Sequence, residues 1–286
     1  MMSIEDLLTR RRDVDEDEYT RHAADLDTKG YAHVHDYLDP ALIAAMLGLV
    51  EDQIAALRQD NTMPEEWAAD WVYNLQNKDK RFIEFLEDPF VERLMIAKLN
   101  EPYYRYIPPD QPNYILGQYL ARSSTQALAL HIDAGMPHAG NDTSMIQVAY
   151  LLEDSTLENG CTVIIPGSQT SGGYADRART DTQSLPASAG DVLIWDARVW
   201  HGAHANTTGK SRWAIIATYQ RWWVKQSFDI PRALPVETYA QLTAKQKALL
   251  GYCTIPPVDE HDRITRALPP DELRPAPCDF YNVPSR

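Results

Sequence analysis

The sequence predicts a mainly β fold with flanking helices around a double-stranded β-helix, or jelly-roll, core. Three observations lead there. From about Tyr114 to Trp223, short apolar runs alternate with turn-forming residues, the pattern of a double-sheet jelly roll. Two long runs with helical spacing precede that stretch. A Pro-rich tail with one more helical run follows it.

The elements can be justified in order. Asp13 to Tyr19 is a charged stretch that reads as a helix start or a solvated terminus. Gly30 to Tyr37 alternates like a short strand. Pro40 to Leu57 has helical spacing, with Leu42, Met46, Leu47, Val50, Ile54 and Leu57 on one face. Lys80 to Leu99 also reads as helical, through Phe82, Phe85, Leu86, Phe90, Leu94, Met95 and Leu99. Pro108, Pro109 and Pro112 break the chain before the first core strand. After Gly190 a turn leads into a buried-looking strand with His201 at its far end. Ala205 to Lys210 reads as a hairpin connection to a strand over Ser211–Tyr219, which would set Arg212 one or two rungs from His201. A last helix is expected from Pro235 to Leu250. The chain thus divides into helical support (1–109), jelly-roll core (110–225) and a C-terminal extension (226–286), all within one domain of 286 residues.

Composition narrows the function classes. Lys and Arg total 27 against 41 Asp and Glu, a net charge of −14, which argues against general nucleic-acid binding. No run approaches the roughly 20 apolar residues that span a bilayer. Met1-Met2-Ser3-Ile4-Glu5-Asp6 lacks a basic stretch leading into an apolar one, so neither a secretory leader nor membrane attachment is expected. Cys161, Cys253 and Cys278 are odd in number, far apart and without a CxxC pattern. That suits a reducing, cytoplasmic setting and argues against a Cys-based metal site. The sequence leaves the oligomeric state open.

The residues with most chemistry are His131-Ile132-Asp133, with His201 and Arg212 far downstream. On a strand, His131 and Asp133 point to the same face while Ile132 points into the packing. A third ligand from His201 would close one triangular face of an octahedron. Two His and one carboxylate with open positions opposite suit non-haem iron(II), whereas structural zinc takes four protein ligands, usually with Cys. An Arg fork beyond can grip a carboxylate with two parallel hydrogen bonds.

With those residues in place, the chain resembles the phytanoyl-CoA dioxygenase family of iron(II)/2-oxoglutarate-dependent oxygenases. The resemblance rests on His131-Ile132-Asp133, on Glu158-Asn159-Gly160 through Pro166-Gly167-Ser168, on Ala189-Gly190-Asp191-Val192 through Trp200-His201-Gly202, and on Asn206 through Arg212. Lys29-Gly30-Tyr31-Ala32-His33-Val34 resembles the family's opening. Gln169 stands where the family often has His after Pro-Gly-Ser. The resemblance implies that His131, Asp133 and His201 hold Fe(II) and that Arg212 binds the distal carboxylate of 2-oxoglutarate. Thr162, Gln147 and Gln118 are the further co-substrate contacts it suggests. It implies oxidation of a C–H bond by O2 with release of succinate and CO2. Halogenating relatives replace the carboxylate with a small residue, so Asp133 implies hydroxylation or a related oxidation. The expected partner is a small-molecule metabolite, with no nucleic acid and no membrane.

Blander readings stand beside these. His204, three residues after His201, faces the other way on a strand and reads as structural or as a pocket-edge residue rather than as the ligand. His138 follows the stretch Ala134-Gly135-Met136-Pro137, which reads as a loop over the metal, and either contacts substrate or is an ordinary loop residue. Arg122, with Ser123 and Ser124, either meets an acidic substrate group or is solvated. Trp195, Trp200, Trp213, Trp222 and Trp223 read mainly as packing, with Trp223 placed to line a pocket. Two rival classes remain: a cupin-like metal enzyme that does not use 2-oxoglutarate, and a non-catalytic jelly-roll binding module.

Overall fold

The computed structural model describes residues 4–60, 62, 70–101, 112–123, 125–174, 179–255 and 259–261. Pro108, Pro109, Ser124 and Cys278 lie outside the described residues. Among the described residues, five helices, α1 (Ile4–Leu8), α2 (Glu16–Thr28), α3 (Pro40–Arg58), α4 (Lys80–Phe85) and α5 (Pro89–Leu99), interleave with β1 (Tyr31–Val34) and β2 (Trp71–Tyr73) before the main strands. The charged stretch after Asp13 is the start of α2: the Asp15 side chain accepts from the Glu18 amide at 2.8 Å, and Glu16, Asp17 and Glu18 occupy the first turn. Acidic groups there cap free N–H groups and favour the positive end of the helix.

In α3, Leu42, Met46, Leu49, Val50 and Ile54 are buried, while Leu47 and Leu57 are only half-buried. With 19 residues, α3 is the one described helix long and apolar enough by composition to cross a bilayer, an exception to the reading that no segment is. Its buried row packs into the protein core. The run Lys80 to Leu99 is two helices, not one. Asp88 caps α5 through the Val91 amide and precedes Pro89, and a residue before proline is driven out of helical conformation. Asp88 also meets Arg11 Nε at 3.0 Å and accepts from the Tyr37 hydroxyl at 2.6 Å, all within the core.

The remaining strands are β3 (Tyr114–Arg122), β4 (Leu128–His131), β5 (Met145–Leu151), β6 (Thr162–Ile164), β7 (Gln183–Leu185), β8 (Val192–Asp196), β9 (His201–Ala203) and β10 (Ala214–Arg221). They form a six-stranded sheet, ordered β1-β8-β5-β10-β3-β2, and a four-stranded sheet, ordered β4-β9-β6-β7, with every pairing antiparallel. The face of the large sheet that carries Ala121, Ile146, Val148, Val192, Ile194, Ile215 and Ala217 packs on the helices. The opposite face, with Ala149, Leu151, Leu193, Trp195 and Ala214, meets Ile164 and Leu185 of the small sheet. This is the jelly-roll arrangement with flanking helices.

Three connections differ from their sequence reading. The strand read after Gly190 stops at Asp196, and His201 begins β9 of the other sheet, not the far end of that strand. Residues 204–213 are not a hairpin, because β9 belongs to the small sheet and β10 to the large one. The segment crosses between sheets. Its amides are satisfied along the way, His204 by Cys161 O, Asn206 by Thr125 O and Thr207 by Glu158 O. Small polar residues signal a turn but do not choose the strand that follows it. The helix read over Pro235 to Leu250 is also interrupted. It forms as α7 (Val236–Tyr239) and α8 (Ala244–Leu249) after α6 (Ile230–Ala233), and a Thr243–Gln246 capping box starts α8.

Candidate metal centre

His131 ends β4, and directly opposite it in register stands His201, which begins β9. Asp133 follows β4 by two residues and is held by its amide donating to Ala197 O at 2.8 Å. The three side chains meet. His131 Nε2 lies 3.4 Å from Asp133 Oδ1, and His201 Nε2 lies 3.3 Å from Asp133 Oδ2. Each imidazole donates its Nδ1 proton to the carbonyl two residues earlier, His131 to Ala129 and His201 to Val199, both at 3.0 Å. That bond sets the tautomer and leaves both Nε2 lone pairs aimed at one point. Burial alone raises the Asp133 carboxyl, but the charge and hydrogen bonds of His201 and His131 outweigh it and hold Asp133 below the usual carboxylate range. Burial alone lowers His131, but the hydrogen bond to Asp133, the charge of Asp133 and the bond to Ala129 O together outweigh it, so it is raised. This donor set suits iron(II), and it leaves part of His131 and Asp133 open to solvent.

The surroundings hold the triad in place. Gly202 has no room for a Cβ, which would meet Leu128 O at 2.4 Å, so β4 and β9 approach closely beside the two histidines. Ser168, in the Pro-Gly-Ser segment, accepts from the Trp200 amide at 2.9 Å and braces the entry to His201. The Trp195 ring packs 5.4 Å from that of His201. Gln169 donates to Asp27 O at 3.0 Å, away from the triad residues.

A second group, His33, His35 and Asp191, also brings ligand atoms within 4.8 Å of one another. It is the poorer metal site. Asp191 already accepts from the Asp36 and Ser188 amides and from His33 Nε2, so its carboxylate has work in joining β1 to the turn before β8.

The remaining sequence-chosen residues fall in different places. Arg212 is buried, and its Nε and Nη2 have no partner among the described residues. It stands two residues before inward-facing Ala214, while Trp213 between them packs into the outer core, so Arg212 points between the sheets. Burial lowers its pKa. Gly160, with φ of +96°, makes the space: a Cβ there would lie 2.7 Å from His204 O and 3.1 Å from Arg212 Nε. Thr162 stands opposite Ala203 and Leu185, on the inner face with Ile164. Gln147 touches Asp133 itself, its Nε2 donating to Oδ2 at 2.9 Å, and accepts from Thr218 Oγ1 at 2.7 Å. Gln118 is half-buried opposite Thr218 in the same row. Arg122 lies on the inner face opposite Ala214, its guanidinium 4.3 Å above the Trp71 ring. His204 meets Ser184 at 2.9 Å, consistent with a structural role.

His138 and exposed Trp223 both line a cavity of about 780 Å³ that also takes in Glu101, Arg198 and Arg221, but none of the three triad residues. Arg198 pairs with Asp196 at 2.8 Å and donates to Gly140 O at 2.8 Å, pinning the loop that leaves Asp133. Sequence reasoning missed Arg198, Thr218 and Trp71. Thr218 carried the one available signal, a polar residue at an inward position of an apolar strand.

The comparisons with known proteins agree with this geometry. The family model described as Phytanoyl-CoA dioxygenase (PhyH) matches residues 26–214, more than half of the chain. The uncharacterized protein Rv1501 of Mycobacterium tuberculosis is 27% identical over 234 residues, covering 79% of this chain and 84% of that protein. Dioxygenase af480 of Aspergillus fumigatus is 30% identical over 138 residues, covering 46% of this chain and 45% of its own length. The epimerase SnoN, solved with Fe3+, alpha ketoglutarate and nogalamycin RO, shares the fold at a TM-score of 0.58 and 20% identity, over 78% of this chain and 92% of that one. HygX from Streptomyces hygroscopicus, solved with nickel and 2-oxoglutarate, does so at 0.56 and 13% identity, over 75% and 90%. The chain belongs to the phytanoyl-CoA dioxygenase family and is a 2-oxoglutarate-dependent non-haem iron oxygenase.

Proposed function

We propose that His131, Asp133 and His201 hold the iron(II), and that Arg212 anchors the distal carboxylate of 2-oxoglutarate. The protein then oxidises a C–H bond of a small-molecule metabolite, by hydroxylation or a related outcome, with release of succinate and CO2. The observation that carries this reading is the meeting of three donor side chains on one point, together with a buried Arg212 whose Nε and Nη2 have no partner among the described residues. Iron and co-substrate supply the oxidising chemistry when bound. The chain's own work is positional. The Nδ1–H bonds of His131 and His201 fix both rings, and Gln147 holds one Asp133 oxygen. Ala149, Leu193 and Trp195 give the space between the sheets an apolar floor. Thr162 and Gln118 are proposed to complete the co-substrate pocket.

The substrate is proposed to approach through the cavity that His138 and Trp223 line, because the loop bordering it begins at Asp133. Its mixed lining of Glu101, Arg198, Arg221 and Trp223 suits a polar metabolite with an apolar portion. SnoN is described as an alpha ketoglutarate dependent epimerase, which supports keeping a related outcome beside hydroxylation in this reading. The test is a metabolite screen for substrate-stimulated succinate release with Fe(II), 2-oxoglutarate and O2. Release that needs Asp133 and rises with one compound class supports the reading. A protein that binds no iron and consumes no 2-oxoglutarate under any condition would overturn it.

A further inference from the structure

Arg122 has no role in the reading above. It is half-buried, and its Nε, like Nε and Nη2 of Arg212, is buried without a hydrogen-bond partner among the described residues. The two arginines are neighbours. The Arg212 amide donates to the hydroxyl of Ser123 at 2.9 Å, and Arg122 stands opposite Ala214, two residues beyond Arg212. Two like charges close together inside a protein repel each other, and among the described residues neither guanidinium has a salt-bridge partner; Asp70 and Asp133 act on Arg122, and Asp70 on Arg212, only through their charge at longer range. Burial, with the charge of Arg212 adding to it, lowers Arg122 to about 10. In a chain of net charge −14, such a pair marks a place built to receive an anion.

The contact with Trp71 says which part of Arg122 is free. Trp71 is the register partner of Arg122 on β2, and its ring lies under the guanidinium carbon at 4.3 Å. The Trp71 ring in turn lies parallel to that of Tyr73, 5.5 Å away. A guanidinium stacked this way uses its face and leaves its edge N–H groups for a planar acceptor. Depth in the sheet says which anion. Gln118, Thr218 and Gln147 form the row level with Asp133. Arg122 lies four residues further along β3, level with Ala214 and Leu151, at the end where Arg212 enters. A substrate acid would have to pass the metal to reach it, whereas a dicarboxylate reaching inward from the metal ends there.

We infer that Arg122 is a second guanidinium of the co-substrate pocket, sharing with Arg212 the distal carboxylate of 2-oxoglutarate. This rests on Arg212 being the anchor. A carboxylate has two oxygens and about four acceptor positions, enough for both arginines. Trp71 is the positioning residue that keeps the Arg122 fork flat and aimed.

The experiment is calorimetric titration of the Fe(II)-loaded protein without oxygen, using 2-oxoglutarate and 2-oxopentanoate, its analogue without the distal carboxylate. Arg122→Gln is expected to weaken 2-oxoglutarate on the order of 10- to 100-fold, as for a lost charged hydrogen bond, and to leave 2-oxopentanoate unchanged. Arg122→Lys, which keeps the charge but not the fork, is expected to recover part of the loss. Trp71→Leu is expected to give a smaller loss with the same selectivity. Equal weakening of both acids would mean a disturbed pocket, and no change in either would place Arg122 with the substrate. Each of those results overturns the inference. Arg212→Gln separates the two readings: if it keeps the wild-type preference for 2-oxoglutarate, the anchor assignment fails whatever Arg122→Gln does.

Discussion

The amide nitrogen of Gln147 donates to Asp133 Oδ2 at 2.9 Å, and the Thr218 hydroxyl donates to the Gln147 carbonyl at 2.7 Å. Thr218 thus settles which way the amide faces, and the amide settles which Asp133 oxygen is engaged. Adjacent strands of one sheet carry this chain into the metal centre, so it is as rigid as the sheet.

Gln147→Leu is therefore expected to weaken iron(II) binding roughly 10- to 100-fold, the usual cost of losing a partner that orients a ligand. Thr218→Val is expected to do the same more weakly, by freeing the amide to turn. Metal titration of the purified variants checks both. Unchanged affinity in Gln147→Leu would show that Asp133 needs no outside support.

Asp133→Ala is expected to remove stoichiometric iron binding and, with it, oxidation of any substrate. Iron content by atomic absorption is the first readout and succinate release the second. Full iron occupancy with wild-type turnover would contradict the ligand assignment.

Arg212→Ala is expected to raise the 2-oxoglutarate requirement, at a cost of roughly 2–5 kcal/mol for truncating a charged pair in a desolvated site. The KM for 2-oxoglutarate should rise far more than kcat falls, and iron affinity in the absence of co-substrate should stay unchanged.

Gly160→Ala probes the packing that makes room for Arg212. The residue has φ of +96°, and the added carbon would lie 2.7 Å from a backbone oxygen that cannot move alone. A loss on the order of 1–3 kcal/mol in unfolding free energy is expected, along with weaker 2-oxoglutarate binding. Urea unfolding and co-substrate titration measure the two effects separately.

Asp88→Ala should be the most destabilising change outside the site. It strips the acid from buried Arg11, the partner from the Tyr37 hydroxyl and the cap from α5. Leaving one member of a buried ion pair alone costs roughly 3–5 kcal/mol. The unfolding midpoint should fall sharply, and an unchanged midpoint would remove Asp88 from the core's support.

Much of the site was readable in the chain. His131 and Asp133 are two apart, and strand periodicity predicts one shared face for them; the structure ends β4 at His131 and instead holds Asp133 beside it through the amide bond to Ala197 O. The Asn-Gly before Cys161 and the Arg after the crossing segment were also visible as residues with chemistry. Gln147 was chosen as well, but for co-substrate, because its polarity inside an apolar strand says that it has a partner and not which one. Arg122 was read as a substrate contact or a solvated loop residue for the same reason. The run Lys80 to Leu99 has continuous apolar spacing, and only the Asp88-Pro89 pair hints at its break.

What the sequence determined by itself is local: helix faces from 3.6-residue spacing, strand faces from alternation, and the residue types able to bind iron and a dicarboxylate. Tertiary structure alone decided that β9 and β10 lie in opposite sheets, that the imidazole tautomers are set by Ala129 and Val199, and that Arg122 and Arg212 become neighbours at one end of the large sheet. The reason is physical. Propensity and periodicity act over one turn or one strand, whereas strand partners are chosen by the apolar area the whole chain can bury, and a polar side chain takes whichever partner that burial brings within reach.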